Sequence, residues 1–206
     1  MNILFLIGPT IMIYIGLIAL ENVVVTFALF YGWLLLLPII FKTKVNLKID
    51  SRSLLAGIVT GLLSLGAIFG AVALLQDSVF DLNEVRELLA TWDFTGVKVI
   101  GLVFVLIFIN PFLEELYWRE FMYGRLAERG FGKAIGITSF FYALYHLFTV
   151  YLIFSFPFNL IAVLPVFLSG LMWGYMRFNL KSIAAPVISH MLADLGIMMV
   201  YFSFIA

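Results

Sequence analysis

Long apolar stretches separated by short polar breaks make up most of this chain of 206 residues. About 20 mostly apolar residues cross the roughly 30 Å hydrocarbon core of a bilayer as a helix. The pattern predicts seven membrane helices, at residues 2–20, 23–41, 53–75, 97–118, 134–155, 158–178 and 182–205. The first lacks a charged leading region and a small-residue cleavage site, so we interpret it as a retained span rather than a signal peptide. The predicted fold is an all-α, polytopic membrane helix bundle.

Segment 76–96 breaks this pattern, because acidic side chains such as Asp81 and Glu84 stand there among apolar ones such as Val85 and Leu89. It is too polar to span and predicts an amphipathic helix on one membrane surface. We expect a single integral membrane domain over the whole chain. Within it we place three N-terminal spans (1–75), the acidic extramembrane segment (76–96) and the helices that carry the candidate catalytic residues (97–206).

Composition supports the membrane class. Hydrophobic residues make up 64% of the chain and charged residues 12%, and the mean hydropathy is +1.14, whereas a soluble domain has roughly 45 to 50% apolar residues. The absence of cysteine from the sequence excludes disulfides, a thiol nucleophile and thiolate metal sites. No basic patch with base-stacking aromatic residues is present, so we expect no nucleic-acid partner.

Basic residues predict the orientation, because short loops rich in Lys and Arg stay in the cytoplasm. They lie mainly between helices 2 and 3, 4 and 5, and 6 and 7, as Lys42, Lys44, Lys48, Arg52, Arg119, Arg125, Arg129, Lys133, Arg177 and Lys181. The acidic segment 76–96 then faces the opposite side. We therefore expect a cytoplasmic N-terminus and an exterior C-terminus.

Ionisable residues inside the apolar segments are the candidates for function. They are Glu114, Glu115, Arg119, His146, His190 and Asp194. A charged group at the bilayer centre costs about 2.5 to 3.5 kcal/mol on insertion scales, so each needs a partner, a water-filled cavity or a functional role. The predicted topology allows Glu114, Glu115, His146 and His190 to meet in the cytoplasmic half of the bundle.

Spacing within the helices pairs some of these residues. Glu115 and Arg119 are four residues apart and share a helix face, as do His190 and Asp194. Pro111 precedes the two glutamates and cannot donate a backbone hydrogen bond, so we expect the helix to open beside the carboxylates.

Peptide hydrolysis in a membrane needs an activated nucleophile, a proton shuttle and a donor for the oxyanion. A serine protease of the rhomboid kind would need Gly-x-Ser-Gly, but Ser169-Gly170 lacks the first glycine, and we interpret Ser169 as a helix-contact residue. Neither histidine belongs to a His-Glu-x-x-His zinc motif, and Asp194 has no second intramembrane aspartate as a partner. A glutamate acting as general base on water, assisted by histidine, remains.

Three ordered motifs resemble the CAAX protease and bacteriocin-processing enzyme family of glutamic intramembrane proteases, which includes the Ras-converting CAAX endopeptidases. Glu114-Glu115-x-x-x-Arg119 follows Pro111 as in the first family motif. Tyr142-x-x-x-His146 is similar to the second, with tyrosine in place of phenylalanine, and His190-x-x-x-Asp194 matches the third. The resemblance covers roughly residues 95 to 200.

The resemblance implies a metal-independent glutamate protease without a cofactor. Glu114 would be the general base that activates water, and His146 would position that water or relay its proton. His190 with the residue at 194 would stabilise the oxyanion. Glu115 and Arg119 would hold the site together. An ionised Asp194 cannot donate to an oxyanion, so unless burial keeps it protonated it is expected to orient His190. Glu120 stands where the family often has a small residue.

The implied substrate is a membrane-associated peptide or protein, with the lipid bilayer as the other partner and the oligomeric state open. We expect an integral protein of the cytoplasmic membrane, and the compact chain favours a prokaryotic origin. One alternative is a non-catalytic membrane scaffold or bacteriocin-immunity protein. Another is an ion-coupled transporter whose cation site is Glu114, His146, His190 and Asp194.

Each residue also has a structural interpretation. Alone, His146 would be a core histidine bonded to a carbonyl, to Ser139 or to Thr149. The aromatic residues near the motifs are interpreted as packing or interfacial residues. These are Trp118, Tyr142, Tyr145 and Trp173.

Overall fold

The structure, a computed structural model, describes residues 3–206, which are predominantly helical and contain no strand. The α-helices are α1 (Ile3–Ile13), α2 (Val23–Ile40), α3 (Ser51–Val79), α4 (Leu82–Thr91), α5 (Lys98–Phe104), α6 (Asn110–Glu115), α7 (Tyr123–Leu126), α8 (Phe131–Ile153), α9 (Phe158–Ile161), α10 (Val163–Leu180) and α11 (Ala184–Val200). Segments Tyr14–Ala19, Val105–Ile109, Leu116–Met122 and Tyr201–Ile205 are π-helical, and Ala127–Arg129 is a 3₁₀ turn. The all-α prediction is confirmed.

Six helical stretches in residues 3–206 are long and apolar enough to cross a membrane. They are Val23–Ile40, Ser51–Gln76, Lys98–Arg129, Phe131–Ile153, Phe158–Leu180 and Ala184–Ile205. The shorter apolar helix Ile3–Ala19 corresponds to the first predicted span and would reach roughly 25 Å at 1.5 Å per residue. Its predicted start at residue 2 lies outside the described residues. The polytopic bundle expected from hydropathy is therefore confirmed, with a shorter first helix.

The polar segment after α3 forms a short helix, α4. Helix α3 continues to Val79, beyond its predicted end, and α4 begins after Asp81, whose carboxylate accepts hydrogen bonds from the N–H groups of Asn83 (2.9 Å) and Glu84 (3.2 Å). Such a cap satisfies N–H groups that the first helical turn leaves unpaired. Val85 is buried in an apolar cluster with the end of the last helix, while Glu84 is exposed.

The segmented helix, Lys98–Arg129, occupies the centre of the bundle. In the most apolar stretch of this helix, 44% of the residues are buried, against 11% in the corresponding stretch of α3. Two π-helical stretches flank α6 and divide this helix into short pieces. Because π-helical turns inside α-helices are frequent at functional sites, this buried helix is a candidate place for chemistry.

The loop before α3 connects several basic segments at one end of the bundle. The Asn46 side chain donates to the Lys181 carbonyl at 2.7 Å, and its backbone carbonyl accepts from the N–H of Ile183 at 2.9 Å. The Asn46 N–H donates to Glu120 at 3.1 Å. At the end of the loop, a hydrogen bond from the Ser53 N–H lowers the pKa of the exposed Asp50 carboxyl.

Close packing of α3 against α11 fixes the helix that carries His190. These two helices and the pair α8 and α10 make the most extensive helix–helix contacts. A Cβ atom added at Gly61 would lie 3.0 Å from the Ser189 Cα and 2.8 Å from the Leu192 Cβ. Small residues allow helix backbones to approach closely in membranes, so Gly61 sets the distance between α3 and α11.

We predict that Gly61→Ala destabilises the protein by about 1 to 3 kcal/mol, the usual cost of overpacking a well-packed interior. Gly66→Ala on the same helix is the matched control, because a Cβ there meets nothing within 4 Å. Thermal unfolding in detergent measures both. Equal melting temperatures for the two variants would show that Gly61 does not set the helix spacing.

Candidate active site

The two glutamates of the first motif lie at the end of α6, and Arg119 lies in the π-helical stretch that follows. Pro111 stands in the first turn of α6, directly after the π-helical segment Val105–Ile109. Proline removes a backbone donor from the ladder, which agrees with the irregular helix there. Local sequence thus places all three side chains on an interrupted helix at the centre of the bundle.

Glu115 connects a cation to an imidazole. Its Oε2 lies 3.0 Å from the Arg119 Nε, and its Oε1 lies 3.1 Å from the His190 Nδ1. All three side chains are almost fully buried, with exposures of 0 to 2%. A carboxylate only accepts hydrogen bonds, so the Nδ1–H of His190 donates to Glu115. Glu115 therefore orients His190 through Nδ1, in addition to the contact that Asp194 makes with Nε2.

Arg119 has further contacts that hold its guanidinium. Its Nη2 lies 3.4 Å from the Gly170 carbonyl, and the guanidinium lies over the Tyr142 ring at 4.8 Å. Arg119 is 1% exposed. Cation–π contacts gain strength in such desolvated places, so the charge of Arg119 is compensated by Glu115 and by aromatic faces.

His190 brings Glu114 and Asp194 together through its other ring nitrogen. Its Nε2 lies 3.6 Å from the Glu114 Oε2, 3.6 Å from the Asp194 Oδ1 and 3.4 Å from the Tyr142 hydroxyl. The structure thus joins Glu114, Glu115, Arg119, His190 and Asp194 in one cluster of direct contacts.

His146 lies beside this cluster and connects to it through two tyrosines. Its Nδ1–H donates to the Tyr142 carbonyl at 2.9 Å, and its ring contacts those of Tyr142 (4.7 Å) and Tyr145 (4.4 Å). The Tyr145 hydroxyl in turn lies near the Glu114 carboxylate, without a hydrogen bond of good geometry between them. This hydrogen bond to a carbonyl is what we expected of a core histidine at position 146. It leaves Nε2 as the basic nitrogen of the neutral ring.

Asn110 is a polar neighbour that the motif analysis missed. Its Nδ2 donates to the Asp194 Oδ2 at 3.1 Å. It lies four residues before Glu114, at the start of α6. This spacing places Asn110 and Glu114 on one helix face, and it is the feature of the sequence that could have identified Asn110 as part of the site.

Trp173 stacks on the catalytic candidate His190, with ring centroids 4.1 Å apart and planes 18° apart. Its indole N–H donates to the Ser189 Oγ at 3.0 Å, and Ser189 lies 3.0 Å from the Thr60 Oγ1. Thr60 is also 2.6 Å from the Ala56 carbonyl, which can only accept. Since each hydroxyl has one hydrogen, Thr60 donates to Ala56 and Ser189 donates to Thr60.

This chain of hydrogen bonds connects α3, which carries none of the motifs, to the imidazole of His190. The four aromatic residues interpreted as packing or interfacial are 0 to 2% exposed, so they pack in the interior. Trp173 and Tyr142 also contact His190.

Glu120 has a local partner at the basic end of the bundle. Its Oε2 accepts from the Arg177 Nη2 at 2.8 Å, and its Oε1 accepts from the Asn46 N–H at 3.1 Å. The acidic side chain that replaces a small residue therefore joins the segmented helix to α10 and to the loop before α3.

No group of three or more His, Asp or Glu side chains in residues 3–206 is arranged to hold a metal ion. The arrangement instead gives the two neighbouring glutamates different partners. Glu115 pairs with Arg119, whereas Glu114 faces a histidine.

The helices and the cluster define the class: a polytopic helical membrane protein with carboxylates and imidazoles gathered between its central helices. The model of the family described as type II CAAX prenyl endopeptidase, Rce1-like, matches residues 96–196. Residues 96–196, just under half of the chain, match this family, and the resemblance of the three motifs to the CAAX protease family is confirmed. No curated protein and no solved structure matches the chain.

We predict that Ser189→Ala lowers the free energy of unfolding by about 1 to 3 kcal/mol, because the buried indole N–H of Trp173 loses its acceptor. Trp173→Phe should lower the free energy of unfolding by less in the Ser189→Ala background than in the wild type, because the acceptor of the indole N–H is already absent there. Thermal unfolding of the single and double variants in detergent checks this coupling.

Ser203→Ala is the control for this cycle, since Ser203 is exposed near the end of the last helix. It should leave the unfolding temperature unchanged. Strict additivity of the Ser189 and Trp173 changes would contradict the hydrogen-bond chain.

Proposed function

We propose that the protein is an intramembrane endopeptidase that hydrolyses a peptide bond of a membrane-associated peptide or protein, with Glu114 as the general base. One observation carries this assignment: Arg119 pairs with Glu115 and not with Glu114. Glu114 is 2% exposed and has an imidazole at 3.6 Å. A carboxylate among apolar helices is costly when no arginine or lysine neutralises it, and proton transfer is the role that its imidazole neighbour supports.

Glu114 begins the reaction by taking a proton from a water molecule. The water oxygen forms a bond to the carbonyl carbon of the substrate, and the C=O π electrons move onto the carbonyl oxygen. The oxyanion then re-forms C=O as the C–N bond breaks, and the proton held by Glu114 passes to the leaving nitrogen. General base and acid catalysis of this kind contributes about 10² to 10⁴ in rate.

His146 positions the water. Its Nδ1–H is held by the Tyr142 carbonyl, so its Nε2 lone pair can accept a hydrogen bond from water. Tyr145 contacts the His146 ring and its hydroxyl lies near the Glu114 carboxylate, which supports a shared position of His146 and Glu114 around one water molecule.

His190 stabilises the oxyanion from Nε2 when both of its nitrogens carry hydrogen. The Nδ1–H bond to Glu115 and the stacked Trp173 hold the ring in one orientation. Three carboxylates contact this ring, so an imidazolium balances part of their charge. Glu115 and Arg119 serve as positioning residues, without contact to the reacting atoms.

We place the N-terminus in the cytoplasm, the C-terminus outside and the protein in the cytoplasmic membrane. The bonds that join Asn46, Glu120 and Lys181 support this orientation, because they gather basic segments at one end. The substrate reaches Glu114 from that side of the bilayer. No cofactor is required for the steps above.

We predict that Glu114→Gln, which is nearly isosteric, abolishes cleavage while the fold is kept. The measurement compares the membrane and secreted peptidomes of the native host carrying wild-type protein or the variant at matched expression. Defined precursors should accumulate and their products should disappear. Glu128→Gln, an exposed change in the same helix, is the control and should give the wild-type pattern.

Identical peptidomes for Glu114→Gln and the wild type, together with a phenotype on deletion, would contradict catalysis. That result would favour a non-catalytic scaffold or immunity protein.

We further predict that metal chelators leave cleavage unchanged, because Glu114 itself activates the water. A synthetic peptide that spans the cut site is incubated with purified protein, with and without a chelator, and its products are quantified by mass spectrometry. A zinc protease in the same buffer controls for effective chelation. Loss of cleavage that added zinc restores would refute the glutamate mechanism.

A further inference from the structure

The accessible edge of the cluster is formed by Asn110 and Asp194. Glu114 and His190 are each 2% exposed and Glu115 is 0% exposed, whereas Asn110 is 8% and Asp194 is 9% exposed. A substrate carbonyl that approaches Glu114 therefore meets this pair first.

Asn110 has a hydrogen-bond donor that is directed by its neighbour. The Asp194 carboxylate only accepts, so the amide nitrogen of Asn110 faces it, at 3.1 Å from Oδ2. A carboxamide nitrogen carries two hydrogens. One is used by Asp194, and the other remains for a different acceptor.

The oxyanion needs more than one donor, and Asp194 is unsuited to the task. A carboxylate beside a developing negative charge repels it. His190 supplies one donor from Nε2. Asp194 connects that nitrogen to the amide of Asn110, because its Oδ1 lies 3.6 Å from Nε2 and its Oδ2 accepts from Asn110. Asn110 shares the helix face of Glu114.

We infer that Asn110 is a catalytic residue that donates the second hydrogen bond to the oxyanion, and that Asp194 holds its amide in place. This inference rests on the proposed function. When water attacks and Glu114 takes its proton, the carbonyl electron pair moves to oxygen, and the free N–H of Asn110 donates to that oxygen. The bond weakens again as C=O re-forms.

Asn110→Ala tests this role in purified protein, with the cut-site peptide identified by the peptidome comparison. The expected result is a fall in kcat of about 10² to 10³, as for the loss of one oxyanion donor, with KM nearly unchanged. A phosphonate analogue of that peptide, which carries the charge of the oxyanion, should lose affinity by a similar factor.

Asp194→Asn in the Asn110→Ala background should recover part of kcat, because an amide at 194 can donate. Thermal unfolding of each variant separates this effect from folding. A structural role for Asn110 would lower the unfolding temperature without a selective loss of phosphonate binding, and that result would overturn the inference.

Glu114→Gln in the same assay distinguishes a failure of the role proposed for Asn110 from a failure of the proposed function. Wild-type kcat in Asn110→Ala with an inactive Glu114→Gln would overturn the role of Asn110 and leave the proposed function standing. Wild-type activity in Glu114→Gln would overturn the proposed function and the role of Asn110 with it.

Discussion

Glu115 is the residue on which the buried site depends, because it compensates a cation on one oxygen and holds an imidazole on the other. Removing one partner of a buried ion pair costs several kcal/mol, since the remaining charge is left without a partner. The pairing of Glu115 with Arg119 also keeps Arg119 away from Glu114. A carboxylate paired directly with the arginine would be a poor base. Because Glu115 takes Arg119 and Glu114 faces His190, Glu114 stays available as a base.

The surrounding helices maintain this division by close packing and by short hydrogen bonds. Gly61 lets α3 approach α11. Where these two helices meet, hydrogen bonds connect Thr60 to Ser189 and Ser189 to Trp173. Trp173 then covers one face of the His190 ring. A helix without any motif residue thus contributes to the orientation of the imidazole. Such supporting contacts are what hold a site within the small tolerances that catalysis requires.

Hydropathy predicted the spans, and spacing predicted the pair of Glu115 with Arg119, because both depend on local helical geometry. The charged residues in apolar segments identified the members of the cluster, because a charge in a membrane span is costly unless it has a partner or a function. The partner of His190 Nδ1 could not be predicted, since it depends on how α6 and α11 are set against each other. The same holds for the stacking of Trp173 and for the bond from Asn110 to Asp194, which join different helices.

The central claim is that Glu114 activates water without becoming bonded to the substrate. Repeated turnover in ¹⁸O-labelled water tests it, with mass spectrometry of the product and of the enzyme peptide that contains Glu114. The account predicts one ¹⁸O in each new product carboxyl group and none in the Glu114 side chain. Label in Glu114 would indicate a covalent acyl intermediate, and absence of any hydrolysed product from the wild type would contradict protease function.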